Sequence, residues 1–179
     1  MTQNRDLLLR ILDERFIRML LDKDFEQLPL PGAEMTSHEM RLSFPFGYMR
    51  RIKDRNFELL EVQLDKHGGA KFVVNFGIVP PEGADVPWKH FEQTEARVSA
   101  LSESYRLYSS RWCMKWFSAP WLTTAFDLES RTRTAVDRAI ELYPEIEAWF
   151  AARTVGPHMR KIGAPTARSP SDGTAPSGV

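Results

Sequence analysis

The chain has 179 residues, 42% of them hydrophobic and five of them tryptophan, which suits one folded domain rather than a disordered chain. Its 24 lysines and arginines balance 24 aspartates and glutamates, so no net field draws it to a polyanion or an anionic membrane. Cys113 is the lone cysteine, which excludes an intramolecular disulfide and a structural zinc site built on cysteines.

The opening residues interleave Arg5, Asp6, Arg10, Asp13 and Glu14 with apolar positions, leaving no apolar core of a signal peptide. No apolar run approaches the ~18 to 20 residues of a membrane span, so a cytoplasmic location is expected. Leu8, Ile11, Leu12, Phe16, Met19 and Leu20 recur at helical spacing and predict an amphipathic helix over roughly residues 4 to 23. Pro29 and Pro31-Gly32 end it, and Ala33 to Phe46 reads as an irregular connection holding one short strand.

Phe46, Tyr48, Met49 and Ile52, interleaved with Arg50, Arg51 and Lys53, predict a strand that turns at Asp54-Arg55-Asn56. Leu60, Val62 and Leu64 alternate with polar residues, as do Phe72, Val74, Phe76 and Ile78 further on, around Gly68-Gly69. Parity sets the register of this hairpin: only an odd loop keeps both apolar sets on one face. A three-residue loop His67-Gly68-Gly69 is expected, pairing Leu64 with Phe72, Val62 with Val74 and Leu60 with Phe76, and placing Asp65 opposite Lys71.

Two further strands are expected at Ala96 to Leu101 and Arg111 to Phe117, with Trp112, Trp116 and Trp121 in the core and Cys113 a small buried hydrophobe. Thr124 and Asp127 read as a helix N-cap ahead of the face Leu128, Thr132, Ala135, Val136, Ala139, Ile140 and Tyr143. Pro144 either kinks that helix or opens a last one carrying Ile146, Trp149 and Phe150, and the folded part is expected to end in helix. Residues from Gly163 to Val179 are rich in Pro, Gly, Ser and Thr and read as a disordered tail. The expected architecture is α+β: one domain over residues 1–162, with an N-terminal helix, an antiparallel meander of about five strands and a C-terminal helix packed on one face.

The segment Tyr48 to Pro80, especially Val62-Gln63-Leu64 and Phe72-Val73-Val74-Asn75-Phe76-Gly77-Ile78, resembles the bacterial family described as domain of unknown function 4304. The resemblance continues through Arg97, Arg111-Trp112 and Tyr143-Pro144-Glu145-Ile146 and spans about residues 46 to 150. The connection from Pro29 to Phe44 departs from the compact glycine-phenylalanine lead-in of that pattern. The resemblance implies an α+β fold and carries no activity.

No glycine-rich loop precedes a helix to cradle phosphate, and no cofactor is expected. His38, His67, His90 and His158 lack i, i+4 pairing, so no local metal motif forms. Cys113 has no histidine partner in view. The polar side of the hairpin carries Glu61 opposite Asn75, with Gln63 and Asp65 continuing it. It reads as the solvated side of the sheet, with Gln63 and Asn75 singled out as binding positions. Arg51, Lys53 and Arg55 share a face and read as exposed guards of an edge strand, which weighs against nucleic acid although Arg51 and Lys53 stay binding candidates. The alternative to a core role for the tryptophans is a partly exposed cluster with Arg111 and Phe117 that resembles a protein-binding hot spot, which makes Arg111 and Trp112 binding candidates.

Two functions follow. The preferred one is a non-catalytic interaction module, of the kind an immunity or accessory protein represents, holding a protein partner and no membrane. The alternative is a small hydrolase that uses Glu61, Asp65 and His67 as acid/base groups.

Overall fold

The computed structural model describes residues 3–30, 37–86, 89–119 and 127–163. Helix α1 (Gln3–Ile11) passes through a π-helical stretch, Leu12–Ile17, into α2 (Arg18–Leu21). The wider π turn suits the five-residue steps Ile11 to Phe16 and Leu12 to Ile17, and all four side chains are buried. Asp24, at φ 65°, reverses the chain into the short strand β1 (Glu26–Leu28). The expected strand within Ala33 to Phe46 is not found among the described residues there. Residues His38–Ser43 form helix α3 instead, because Ser37 caps it by accepting the Met40 N–H.

The central hairpin has the expected register. Strands β2 (Tyr48–Lys53), β3 (Asn56–Leu64) and β4 (Lys71–Val79) run antiparallel, with Leu64 opposite Phe72, Val62 opposite Val74 and Leu60 opposite Phe76. Asp54 and Arg55, at φ 49° and 69°, make the tight β2–β3 turn. The β3–β4 loop is longer than expected: Asp65 N–H bonds Lys71 O at 3.1 Å, leaving Lys66 to Ala70 between them, still an odd number.

Beyond a small hairpin of β5 (Ala84–Val86) and β6 (Lys89–Phe91), two expected strands are replaced. Ala96 to Leu101 contains a 3₁₀ turn, Val98–Ala100, and only Phe117–Ser118 of the later segment is a strand, β8. The strand that does form is β7 (Ser104–Leu107), beside β4. Helix α4 (Leu128–Ala152) runs continuously through Pro144. Thr124 lies outside the described residues, and the Asp127 carboxylate makes no cap because it accepts from Arg131 Nε. The described chain ends in strand rather than helix, since β9 (Met159–Lys161) pairs with β7. The proposed tail lies outside the described residues from 164 onward; Gly163 N–H bonds Ser104 O at 3.3 Å.

Among the described residues the sheet therefore has seven strands, ordered β1-β2-β3-β4-β7-β9 with β8 also on β4. Its inner face carries Leu60, Val62, Phe72, Val74 and Phe76 against the N-terminal helices and α4, where Trp149 meets the Phe76 ring edge-on at 5.3 Å. Arg51 also belongs to this face and is no exposed edge cation, because β1 covers the edge beside β2. Arg51 bonds Glu58 at 2.6 Å and Glu147 at 2.9 Å, and lies 4.6 Å over the Phe25 ring. Burial alone would raise the Glu147 carboxyl, but the hydrogen bonds from Arg51 and Tyr143 outweigh it and hold the pKa below its ordinary value. Burial, and then the bond to Glu147, push the Tyr143 phenol upward.

The expectation of one covered face needs correction. Leu59 and Val79 on the second face form their own buried cluster with Ala96, Val98 and Leu101. Gly77 permits this cover, because a Cβ there would fall 2.5 Å from Leu101 Cδ1.

Candidate functional site

The second face of the sheet divides into two ends along one cross-strand line, in which Glu61, Asn75, Arg106 and Arg160 stand opposite one another on β3, β4, β7 and β9. Side chains directly opposite in an antiparallel pair share a face, so this line brings four polar groups to one surface. Glu61, expected on a solvated side, is instead 2% exposed. Its Oε1 accepts from Arg97 Nε at 2.7 Å and from the Val98 N–H at 3.4 Å. Arg97 also lies over Phe44 and Tyr48, at 5.3 and 5.8 Å, so the first end is closed by a matched pair under an aromatic cover.

The second end is held by amides. Asn75 is buried, and its Nδ2 donates to Gln63 Oε1 at 3.0 Å. Arg106 Nε donates to Asn75 Oδ1 and its Nη2 to Gln63 Oε1, both at 2.7 Å. The two amides thus fix the guanidinium without neutralising it. Arg106 and Lys71 lie 6.0 and 5.5 Å from the Trp116 ring centre. Arg160 donates through Nη1 to Met159 O and through Nη2, at 2.8 Å, to Arg111 O, which joins the sheet to the loop between β7 and β8.

That loop presents the aromatic patch. Trp112, expected in the core, is 80% exposed, with the Arg111 guanidinium 4.4 Å over its ring. Met114 is 68% exposed, and Cys113 is exposed rather than buried. Trp116 is half-buried, and Trp121 lies outside the described residues. Internal bonds hold the loop in shape: Lys115 O accepts from both Ser109 N–H and Ser109 Oγ at 2.9 Å, and the Trp112 N–H meets Ser110 Oγ at 3.3 Å. A cavity of about 550 Å³ lies between the loop and α4, with Cys113, Lys115, Thr134 and Arg138 in its lining.

The structure does not bring Glu61, Asp65 and His67 together. Glu61 and Asp65 lie four positions apart along the chain, ~13 Å by strand rise. Asp65 holds the loop, accepting the Gly69 N–H at 3.2 Å with Lys71 at 3.6 Å, while the His67 ring is exposed. Lys53 is exposed on β2, away from Arg111 and Trp112 on the far side of β4. Reasoning on the sequence missed Arg106, Arg160 and a Glu145–His158 contact of 2.5 Å that ties the β9 turn to α4. A signal for the first existed: in Ser104-Tyr105-Arg106-Leu107 apolar and polar residues alternate as in a half-buried strand.

Among the described residues no three metal-ligating side chains converge, and no helix is long and apolar enough to cross a membrane. The chain has no significant match to a known protein family, a curated protein or a solved structure.

Proposed function

We propose that the protein is a non-catalytic, cytoplasmic protein-binding module of the immunity or accessory kind, holding its partner through the Trp112 loop and the adjoining arginine-rich end of the sheet. The observation that carries this reading is a tryptophan 80% exposed and stacked by Arg111, on a loop already ordered by its own hydrogen bonds. Tryptophan and arginine are the side chains that dominate binding energy at interfaces, and an ordered loop loses little entropy on docking. An exposed free thiol suits a reducing compartment. The likeness to the domain of unknown function 4304 family remains part of the proposal and adds no activity to it.

The hydrolase reading has less support, because Arg97 engages Glu61 and the turn engages Asp65. The test is affinity capture from the source cell with the wild type and a Trp112→Ala/Met114→Ala double variant. The expected result is one stoichiometric protein retained by the wild type and lost from the variant, with melting temperature unchanged because both side chains are exposed. Capture indifferent to the substitutions would overturn the proposal. So would turnover of an esterase, phosphatase or nuclease substrate that disappears in Asp65→Asn or Glu61→Gln.

A further inference from the structure

We propose that Arg106 and Arg160 form a binding site for an oxyanion, a side-chain carboxylate of an acidic partner segment whose neighbouring apolar side chains rest on Trp112 and Met114. This deepens the protein-binding reading and rests on it.

The two arginines stand directly opposite each other on β7 and β9. Like charges in that position destabilise an antiparallel pair unless something neutralises them. Among the described residues no carboxylate bonds either one. Arg106 is bonded to two amide oxygens, and Arg160 to the main-chain carbonyls of Pro157, Met159 and Arg111. Many other arginines have an acidic partner, among them Arg51 with Glu58 and Glu147, Arg97 with Glu61, Arg50 with Glu26, and Arg15 with Asp137, while Arg111 and Arg153 lie over tryptophan rings. Arg5 is a further exception, but its guanidinium is buried against backbone carbonyls and out of reach of a ligand.

Charge and preorganisation coincide at Arg106. Asn75 and Gln63 hold its Nε and Nη2, and no acceptor among the described residues engages Nη1. A guanidinium fixed in this way loses little freedom when it takes a carboxylate, and a charge-assisted bond between forked donors and a planar oxyanion is strong for its size. Arg111, joined to Arg160 through its carbonyl, adds a third cation beside the exposed indole. The balanced net charge and the smallness of the cluster favour a discrete carboxylate over a nucleic-acid backbone, which needs an extended positive track. Arg111 already occupies one face of Trp112, which limits the indole as a base-stacking platform.

The experiment is an NMR titration of the full chain that follows the Arg106 and Arg160 Nε–H and Trp112 indole N–H signals. The probes are a blocked peptide alternating glutamate and leucine, its glutamine counterpart, inorganic phosphate and a short oligothymidylate. The glutamate peptide should move all three signals and bind about tenfold more tightly than the glutamine peptide, the worth of one charge-assisted contact. Its affinity should fall as salt is raised. Arg160→Gln should weaken it about fivefold or more, with Arg160→Lys intermediate because charge is kept and the fork lost. Arg160 is exposed, so this variant decides the matter even if Arg106→Gln disturbs the Gln63–Asn75 bond.

Equal binding of the two peptides, no movement of the arginine signals, or indifference to Arg160→Gln would overturn the site. Phosphate matching the glutamate peptide would overturn the carboxylate assignment in favour of a phosphoryl ligand, and tighter binding of oligothymidylate would replace the peptide with nucleic acid. Failure here with partner capture still dependent on Trp112 removes the anion site alone. Peptide binding without any captured protein removes the module reading instead.

Discussion

Glu61 and Arg160 stand at the two ends of one cross-strand line, and their surroundings differ in burial and in charge matching. At the Glu61 end the arginine that arrives, Arg97, finds a carboxylate, and the 96–101 segment closes over the pair. At the other end Arg106 finds two amides, and Arg160 finds only carbonyls. Both arrangements satisfy hydrogen bonds, but only the first satisfies charge. A buried cation with its carboxylate is a structural joint, as Arg51 is on the inner face. A cation held in place by neutral acceptors keeps its field for something outside the chain.

The strongest test of this contrast removes charge at the matched end. Glu61→Gln removes the carboxylate that Arg97 Nε meets in a buried site and should cost ~3 to 5 kcal/mol in urea denaturation. A loss near that of an ordinary surface change would erase the distinction between the two ends. Phe76→Ala, which opens a cavity under Trp149 on the inner face, should cost a similar ~3 to 5 kcal/mol and calibrates the measurement.

Acid should act next, through the matched joint on the inner face. The Glu147 carboxyl is held below its ordinary 4.5 when folded, so its contribution is full above 4.5 and is lost as pH falls through the lower folded value. Denaturation followed from neutral pH downward should show this loss in the wild type, and Glu147→Gln should flatten it. At the unmatched end the effects are smaller. Arg106→Gln should cost about 1 kcal/mol through its amide bonds, and Arg160→Gln should leave stability unchanged or raise it by ~0.2 to 1 kcal/mol by relieving like charge.

The smallest expectation concerns the β5–β6 hairpin, where the hydrogen bond that His90 Nδ1 donates to Asp85 raises the pKa of the exposed imidazole above 6.5. The contact therefore helps below 6.5 and its help disappears as pH rises through the raised value. In Asp85→Asn the imidazole signal should titrate lower than in the wild type, with no measurable change in melting temperature.

Parity makes the β3–β4 register legible in the sequence, because a slip of one residue would put Leu60 and Val62 on the face opposite Phe76. Helical spacing in α1 and along α4 is legible for the same reason: period and burial agree over many residues. Short elements escape. Strands of three or four residues, β1, β7 and β9, carry too few alternations to stand out, and their pairing comes from partners far along the chain. Trp112 escapes for the opposite reason, since its composition argues for the core and only the path of the loop leaves it outside.

Of the candidate site, Gln63, Asn75, Arg111 and Trp112 are visible in the sequence as residues, but not as one surface. The sequence by itself determined what depends on neighbours in the chain: the amphipathic N-terminal helix, the central hairpin with its two sided faces, and the closing helix. Only the tertiary structure decided which charges meet, because that rests on strand order. Placing β7 beside β4 set Arg106 on Asn75, and adding β9 set Arg160 opposite Arg106. Folding the 96–101 segment over the other end gave Glu61 its arginine. Those contacts join residues dozens of positions apart, and no periodicity within a segment records them.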